Sequence, residues 1–198
     1  ASPILIDGLK KLEYRGYDSA GIAVSENGKT DVVKTKGRIK NLEEKLEEVG
    51  GLSGTVGIGH TRWATHGAPT DVNAHPHKGG NGRITLVHNG IIENYIELKT
   101  MLQKGGYVFV SETDTEVLAH LFDYYYKGDL LDAMVNVMKT VRGSYAVAIL
   151  ADDKPGTIIA ARKDSPLIVG LGDGENFLAS DIPAVLKYTR DCYLLEDN

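Results

Sequence analysis

Gly21-Ile22-Ala23-Val24-Ser25-Glu26-Asn27-Gly28-Lys29-Thr30-Asp31-Val32-Val33-Lys34-Thr35-Lys36 reads as two strands, Gly21–Ser25 and Asp31–Lys36, joined by a turn at Glu26-Asn27-Gly28. Asn-Gly accepts the positive φ angles of a tight hairpin, and β-branched residues flank it. Strand-like runs recur at Thr55–Arg62, Arg83–His88 and Tyr107–Val110. Four more follow in succession at Tyr145–Ala151, Thr157–Arg162, Leu167–Leu171 and Glu175–Ala179, and a last one at Cys192–Leu195. Helical spacing separates these runs. Ser2-Pro3 with Ile4, Leu5, Leu9 and Leu12 predicts a helix in which Ser caps and Pro takes the first position. Ile39, Leu42, Leu46 and Val49 give one apolar face to a charged helix. Tyr95–Lys104 is a helix stopped by Gly105-Gly106, and residues 113–126 form one opened by a Thr-x-x-Glu capping box. Leu130, Leu131, Met134, Val135, Met138 and Val141 mark another. Hairpin-like strands with helices in pairs, and no strict βαβ alternation, predict an α+β fold with mainly antiparallel sheets. Two sheets packed face to face between helical layers satisfy the pattern.

The 198 residues suit one large domain with a full core. At 42% hydrophobic and 25% charged, the composition is that of an ordinary globular protein. The net charge of −5 and the lack of any Lys/Arg run argue against nucleic-acid binding. The longest apolar stretch, near Tyr145–Ala151, is far too short to span a membrane, and no signal segment opens the chain. Cys192 is the single cysteine, so an internal disulfide is impossible and a reducing, cytoplasmic setting is expected.

Three segments carry chemistry. In His60-Thr61-Arg62-Trp63-Ala64-Thr65-His66-Gly67, Arg62 ends a strand within a polar stretch. A guanidinium fork with nearby Thr65 and His66 donors suits an α-carboxylate, whereas the bland reading is a surface loop plugged by Trp63. In His88-Asn89-Gly90-Ile91-Ile92-Glu93-Asn94, an amide beside a Gly N–H can aim two donors at an oxyanion, against the bland reading of a hairpin turn. In Ser111-Glu112-Thr113-Asp114-Thr115-Glu116, Asp114 in a first helical turn can hold an ammonium group or simply complement the helix dipole. Taken together, Arg62 and Asp114 match the two ends of an amino acid, and Asn89 with Gly90 match an acyl carbon along its side chain. That combination points to glutamine or asparagine. His60, His66, His75, His77 and His88 cluster in sequence but lack metal-ligand spacing, so hydrogen-bonded loop histidines are expected and no metal or cofactor. Cys192 reads as a half-buried structural thiol with no base beside it.

The order and wording of these segments resemble the glutaminase domain of the glutamine–fructose-6-phosphate aminotransferase family. The match extends from Leu12-Glu13-Tyr14-Arg15-Gly16-Tyr17-Asp18-Ser19-Ala20-Gly21 through Asn73-Ala74-His75-Pro76-His77 to Ser165–Gly170 and Glu175–Asp181. The Thr-Arg-Trp-Ala-Thr-His-Gly wording separates it from asparagine synthetases and purine-pathway amidotransferases. The resemblance implies a four-layer αββα N-terminal-nucleophile hydrolase fold. It implies that Arg62, Thr65 and His66 hold the glutamine α-carboxylate, and that Asp114 with the Gly90 backbone holds the α-amino group. Asn89 with Gly90 would form the oxyanion hole, Trp63 would lie where glutamine and the ammonia exit meet, and Arg15 would support the nucleophile's surroundings. The family's nucleophile is an N-terminal cysteine, and this sequence begins Ala1-Ser2-Pro3. The expectation is thus one glutaminase domain, residues 1–198, trimmed at both ends and without the sugar isomerase domains that use fructose 6-phosphate. The full-length protein is expected to be a homo-oligomer. The alternatives are another class II amidotransferase or a glutamine-binding module without chemistry.

Overall fold

The computed structural model describes residues 1–197 as four layers with a small third sheet at one end. Helix α1 (Ser2–Leu12) and helix α2 (Ile39–Glu48) cover a sheet of order β2-β1-β3, with β1 at Ser19–Glu26, β2 at Lys29–Lys36 and β3 at Val56–Arg62. A second sheet, β4-β5-β6-β7, comprises His77–Gly79, Ile84–Ile92, Gly143–Ala151 and Ile159–Lys163. Its outer face carries α3 (Tyr95–Lys104), α4 (Asp114–Tyr125) and α5 (Leu130–Thr140). All strand pairs in these sheets are antiparallel. The third sheet, β10-β8-β9, is built from Cys192–Leu194, Ile168–Leu171 and Asn176–Ala179.

Strand alternation builds the layers. On β1, Ala20, Ile22 and Val24 face the α1/α2 core with Leu9, Ile39 and Leu42, while Ala23 faces the other sheet. On β6, Tyr145, Val147, Ile149 and Ala151 face the large core under α4, while Ala148 and Leu150 point between the sheets. Both sheets are therefore buried on two faces. The opening hairpin closes as its sequence requires: Asn27 and Gly28 both take positive φ, 51° and 76°, and Glu26 pairs with Lys29.

Four local expectations need correction. Ser2 is the first helical residue rather than the cap; Ala1 caps α1 through its carbonyl, which accepts from the Ile4 and Leu5 amides at 3.0 and 3.1 Å. Residues 107–110 alternate as predicted, with Tyr107 and Phe109 inward and Val108 and Val110 about three-quarters exposed (76% and 75%), but they pair with no strand among the described residues. Strand β4 begins at His77, which was expected to be a loop histidine. Half of the capping box forms: Thr113 Oγ accepts from the Glu116 amide at 3.2 Å, but Glu116 does not reach back to Thr113.

Instead, Glu116 accepts from the Val110 amide at 2.9 Å and from the Ser111 amide and hydroxyl at 2.7 Å, pinning the extended 107–113 segment to α4. Burial alone would push its carboxyl up; the His120 ring 3.6 Å away and these three donors bring it down to about 2. Since the folded value lies below the ordinary 4.5, this stabilisation is complete above pH 4.5 and is lost as pH falls through 2. Glu116→Gln is expected to cost about 3 kcal/mol at neutral pH, with the gap from wild type closing between pH 4.5 and 2. Urea unfolding across that range checks it, and a gap independent of pH would show that the carboxylate charge is not what stabilises.

Candidate functional site

The space between the two sheets is apolar at one end, where Ala23, Ile58, Val87, Ala148 and Leu150 meet. Toward the other end the inward face of β3 changes from Ile58 to His60 and Arg62, and β5 contributes Val87 and then Asn89. His60 Nε2 lies 2.7 Å from Asn89 Oδ1 and so bridges the two sheets. Behind this bridge, His60 stacks on His75 with ring centroids 4.1 Å apart, and His77 meets His75 edge-on. Three of the five clustered histidines sit on strands: His60 and His88 within runs that read as strands, and His77 on β4, where a loop residue was expected. Burial pulls His60 down to about 4 and His77 to about 3, and holds His75 and His88 below the ordinary imidazole value.

A cleft of about 1240 Å³ opens over this polar end and runs along β3 beside α1. Of the eight residues expected to form a site, it brings together Arg15, Arg62, Trp63, Thr65, Asn89, Gly90 and Asp114. His66 is not on its wall but stands behind, with Nδ1 4.0 Å from Asp114 Oδ1.

Asn89 and Gly90 lie within β5, paired with Ala146 and Tyr145, rather than at a strand end. Gly90 has φ +129°, and a Cβ there would stand 2.2 Å from the Ser144 carbonyl oxygen. Only glycine fits, which keeps the cleft wall beside Asn89 free of side chain. Asp114, 4% exposed in the first turn of α4, accepts from the Ile92 amide through Oδ2 at 2.9 Å. Oδ1 is left toward His66.

Arg62 is also 4% exposed. Its Nη1 donates to the Ala68 carbonyl at 3.4 Å, and Nη2 donates to the carbonyls of His66 and Gly67. The fork therefore fastens the 63–68 loop, leaving Nε–H and one Nη1 hydrogen for a ligand. Burial lowers the guanidinium from its ordinary value, opposed by the nearby carboxylates of Asp18 and Asp114. Trp63 is 61% exposed and packs edge-on against Tyr17 at the mouth. Arg15 reaches Ser180 at 3.4 Å and Asp181 at 3.8 Å, across to the third sheet.

Two positioning residues escaped the sequence reading. Asp18 accepts from the Ala64 amide and from the Ser19 hydroxyl, tying the Arg62 loop to β1. Asn73 donates to the Ala68 carbonyl at 3.0 Å and exchanges hydrogen bonds with Glu112, joining that loop to the Asp114 segment. Neither carries a local motif for this role, because the partners that matter, Ala64 for Asp18 and Glu112 for Asn73, lie 46 and 39 residues away. Lys34 adds a third fastening, donating to the carbonyls of Val72, Ala74 and Pro76 at 2.7–3.1 Å.

An amide–glycine pair, a buried guanidinium and a buried carboxylate on one cleft between stacked antiparallel sheets define the class. The glutamine amidotransferase domain family matches residues 60–187, and the chain belongs to it. Along its whole length it is similar to glutamine–fructose-6-phosphate aminotransferases [isomerizing], 62% identical to that of Clostridium tetani and 58% to that of Thermus thermophilus. The chain spans about a third (32%) of the length of these relatives. Among solved structures, glutamine phosphoribosylpyrophosphate amidotransferase from B. subtilis superposes with a TM-score of 0.82 at 30% identity, over 96% of this chain and 42% of that one. A predicted glutamine amidotransferase from Pseudomonas aeruginosa shares the fold, with a TM-score of 0.56 at 14% identity over 91% of this chain and 82% of that one. The architecture is the N-terminal-nucleophile hydrolase sandwich of the class II amidotransferases.

Proposed function

We propose that this chain binds glutamine and hydrolyses its side-chain amide to glutamate and ammonia, as the glutaminase domain of a longer enzyme that aminates fructose 6-phosphate to glucosamine 6-phosphate. The observation that carries it is the shared cleft. Arg62, with Thr65, takes the α-carboxylate, with His66 standing behind the cleft wall beside Asp114; Asp114 Oδ1, with the Gly90 backbone, takes the α-ammonium; Asn89 and Gly90 face the amide carbon. Trp63 closes the mouth, and Arg15 braces the side next to the third sheet. The nucleophile in this reading is the thiol of a cysteine ahead of Ala1, its own α-amino group acting as base. Thiolate attack on the amide carbon gives an oxyanion held by Asn89 and Gly90. Collapse forms a thioester and expels ammonia, which carries away the proton from the thiol. Water then attacks the thioester, releasing glutamate and restoring the thiol. The sugar-phosphate acceptor is supported by the 62% identity to an aminotransferase of that specificity, against 30% to the phosphoribosylpyrophosphate enzyme.

Trp63, the one tryptophan, sits on the cleft and reports ligand entry. Glutamine titrated into the chain is expected to change its fluorescence, and asparagine to do so more weakly. Arg62→Lys keeps the charge but loses the planar fork, so glutamine affinity is expected to fall about tenfold or more. Calorimetry of both proteins checks this. Equal affinities would remove Arg62 from carboxylate recognition, and no glutamine binding at all would overturn the function.

A further inference from the structure

We propose that His60 is a positioning residue for Asn89: its Nε2–H holds the amide oxygen and so turns the amide's N–H end to the cleft. The inference rests on the reading of Asn89 as an oxyanion donor and says what makes it one. A free asparagine amide has two faces of opposite character, and only the nitrogen end stabilises an oxyanion. The amide of Asn89 lies between the cleft, which it lines, and the buried ring of His60. Whichever end His60 takes, the cleft receives the other.

The ring's own surroundings decide which end that is. A neutral imidazole carries one proton, on Nδ1 or on Nε2. Among the described residues His60 Nδ1 is buried with no hydrogen-bond partner of good geometry, although the His88 carbonyl lies near enough to favour the protonated ring. A proton on Nδ1 would be a buried, unpaired donor, the costlier of the two arrangements. The proton therefore sits on Nε2, 2.7 Å from Asn89 Oδ1. Burial keeps the ring neutral near pH 7, so Nδ1 stays bare.

The ring cannot easily turn over to exchange the two nitrogens, because it lies flat on His75, at 16° between planes. His75 is itself fixed by a closed set of hydrogen bonds. The His88 amide donates to His75 Nδ1 at 3.4 Å, and His75 Nε2 then donates to Thr115 Oγ at 3.3 Å. The Thr115 hydroxyl donates to His88 Nδ1 at 3.1 Å, and His88 Nε2 donates to the Ser144 carbonyl at 3.5 Å. A backbone amide starts the chain and a backbone carbonyl ends it, so each tautomer follows from the fold. The same β5–β6 pair that carries Asn89 and Ser144 thus sets the platform beneath His60.

Glutaminase kinetics of the full-length protein that carries this chain test the assignment. His60→Gln places an amide nitrogen where Nε2 was and is expected to keep kcat within about threefold. His60→Asn, whose amide reaches only the Nδ1 position, and His60→Leu are expected to lower kcat about 10–10²-fold, the scale of a misplaced catalytic group, with KM for glutamine within about twofold. Combined with Asn89→Ala, His60→Asn is expected to cost nothing further, since there is no amide left to orient. Equal losses in the Gln and Asn variants, or losses that multiply in the double variant, overturn the positioning role while leaving the oxyanion reading standing. A near-normal kcat for Asn89→Ala alone removes that reading, and this inference with it. Melting curves of the Gln and Asn variants separate a folding defect from a kinetic one.

Discussion

Asn89→Ala is expected to lower kcat for glutamine hydrolysis by about 10²–10³ with little change in glutamine affinity, the effect of losing one preorganised oxyanion donor. The measurement requires a chain extended upstream to a free N-terminal cysteine, assayed for glutamate release with glutamine varied. The size follows from timing. In the proposed reading Arg62 and Asp114 take the amino-acid ends of the substrate and Asn89 does not, so the Asn89 hydrogen bond is expected to tighten only as charge develops on the amide oxygen. A loss in KM with kcat preserved would place Asn89 in substrate binding instead. A near-normal kcat would remove it from the site.

The second large effect concerns the chain beginning at Ala1, which is expected to release no glutamate above background. An oxyanion hole acts only after something attacks the carbonyl. Cys192 belongs to β10, paired with Gly170 and packed by Ile168 and Ala179, and does not line the cleft. The Thr115 hydroxyl donates to a histidine, the pairing an activated alcohol needs, but it is 1% exposed and already accepts from His75. The two proteins, with and without the upstream cysteine, are compared in the same glutamate assay. Turnover by the shorter chain that Cys192→Ser abolishes would overturn the assignment of the nucleophile. Glutamine binding without turnover in both would favour a binding module over an enzyme.

The layers were legible where hydrophobic alternation and turn chemistry agree, as in the β1–β2 hairpin, where Asn27-Gly28 and the flanking valines call for one structure. They were less so where a segment is short or unpaired. Three residues of β4 are too few to show a period, and residues 107–110 alternate because one face packs on α4, not because a partner strand exists. The site was half legible. Arg62, Asn89, Gly90 and Asp114 announce themselves by local wording, and the structure brings them to one cleft. The histidines were expected as hydrogen-bonded loop residues, because nothing local marks a polar side chain as interior. Here both faces of β3 and β5 are covered, so His60 and His88 are interior. The signal available was that Ile58, His60 and Arg62 share one face of β3, a run that turns from apolar to charged as it approaches the cleft.

Because Asn89 and Gly90 are rungs of the β5–β6 ladder, with Ile84, Leu86 and Tyr145 of the same pair buried in the core beneath α4, the two residues are not carried on a separately ordered loop. They have no melting step of their own. Heat that dislodges them must first open the central strand pair and the core behind it, so this part of the cleft wall and the folded domain disappear in a single cooperative transition.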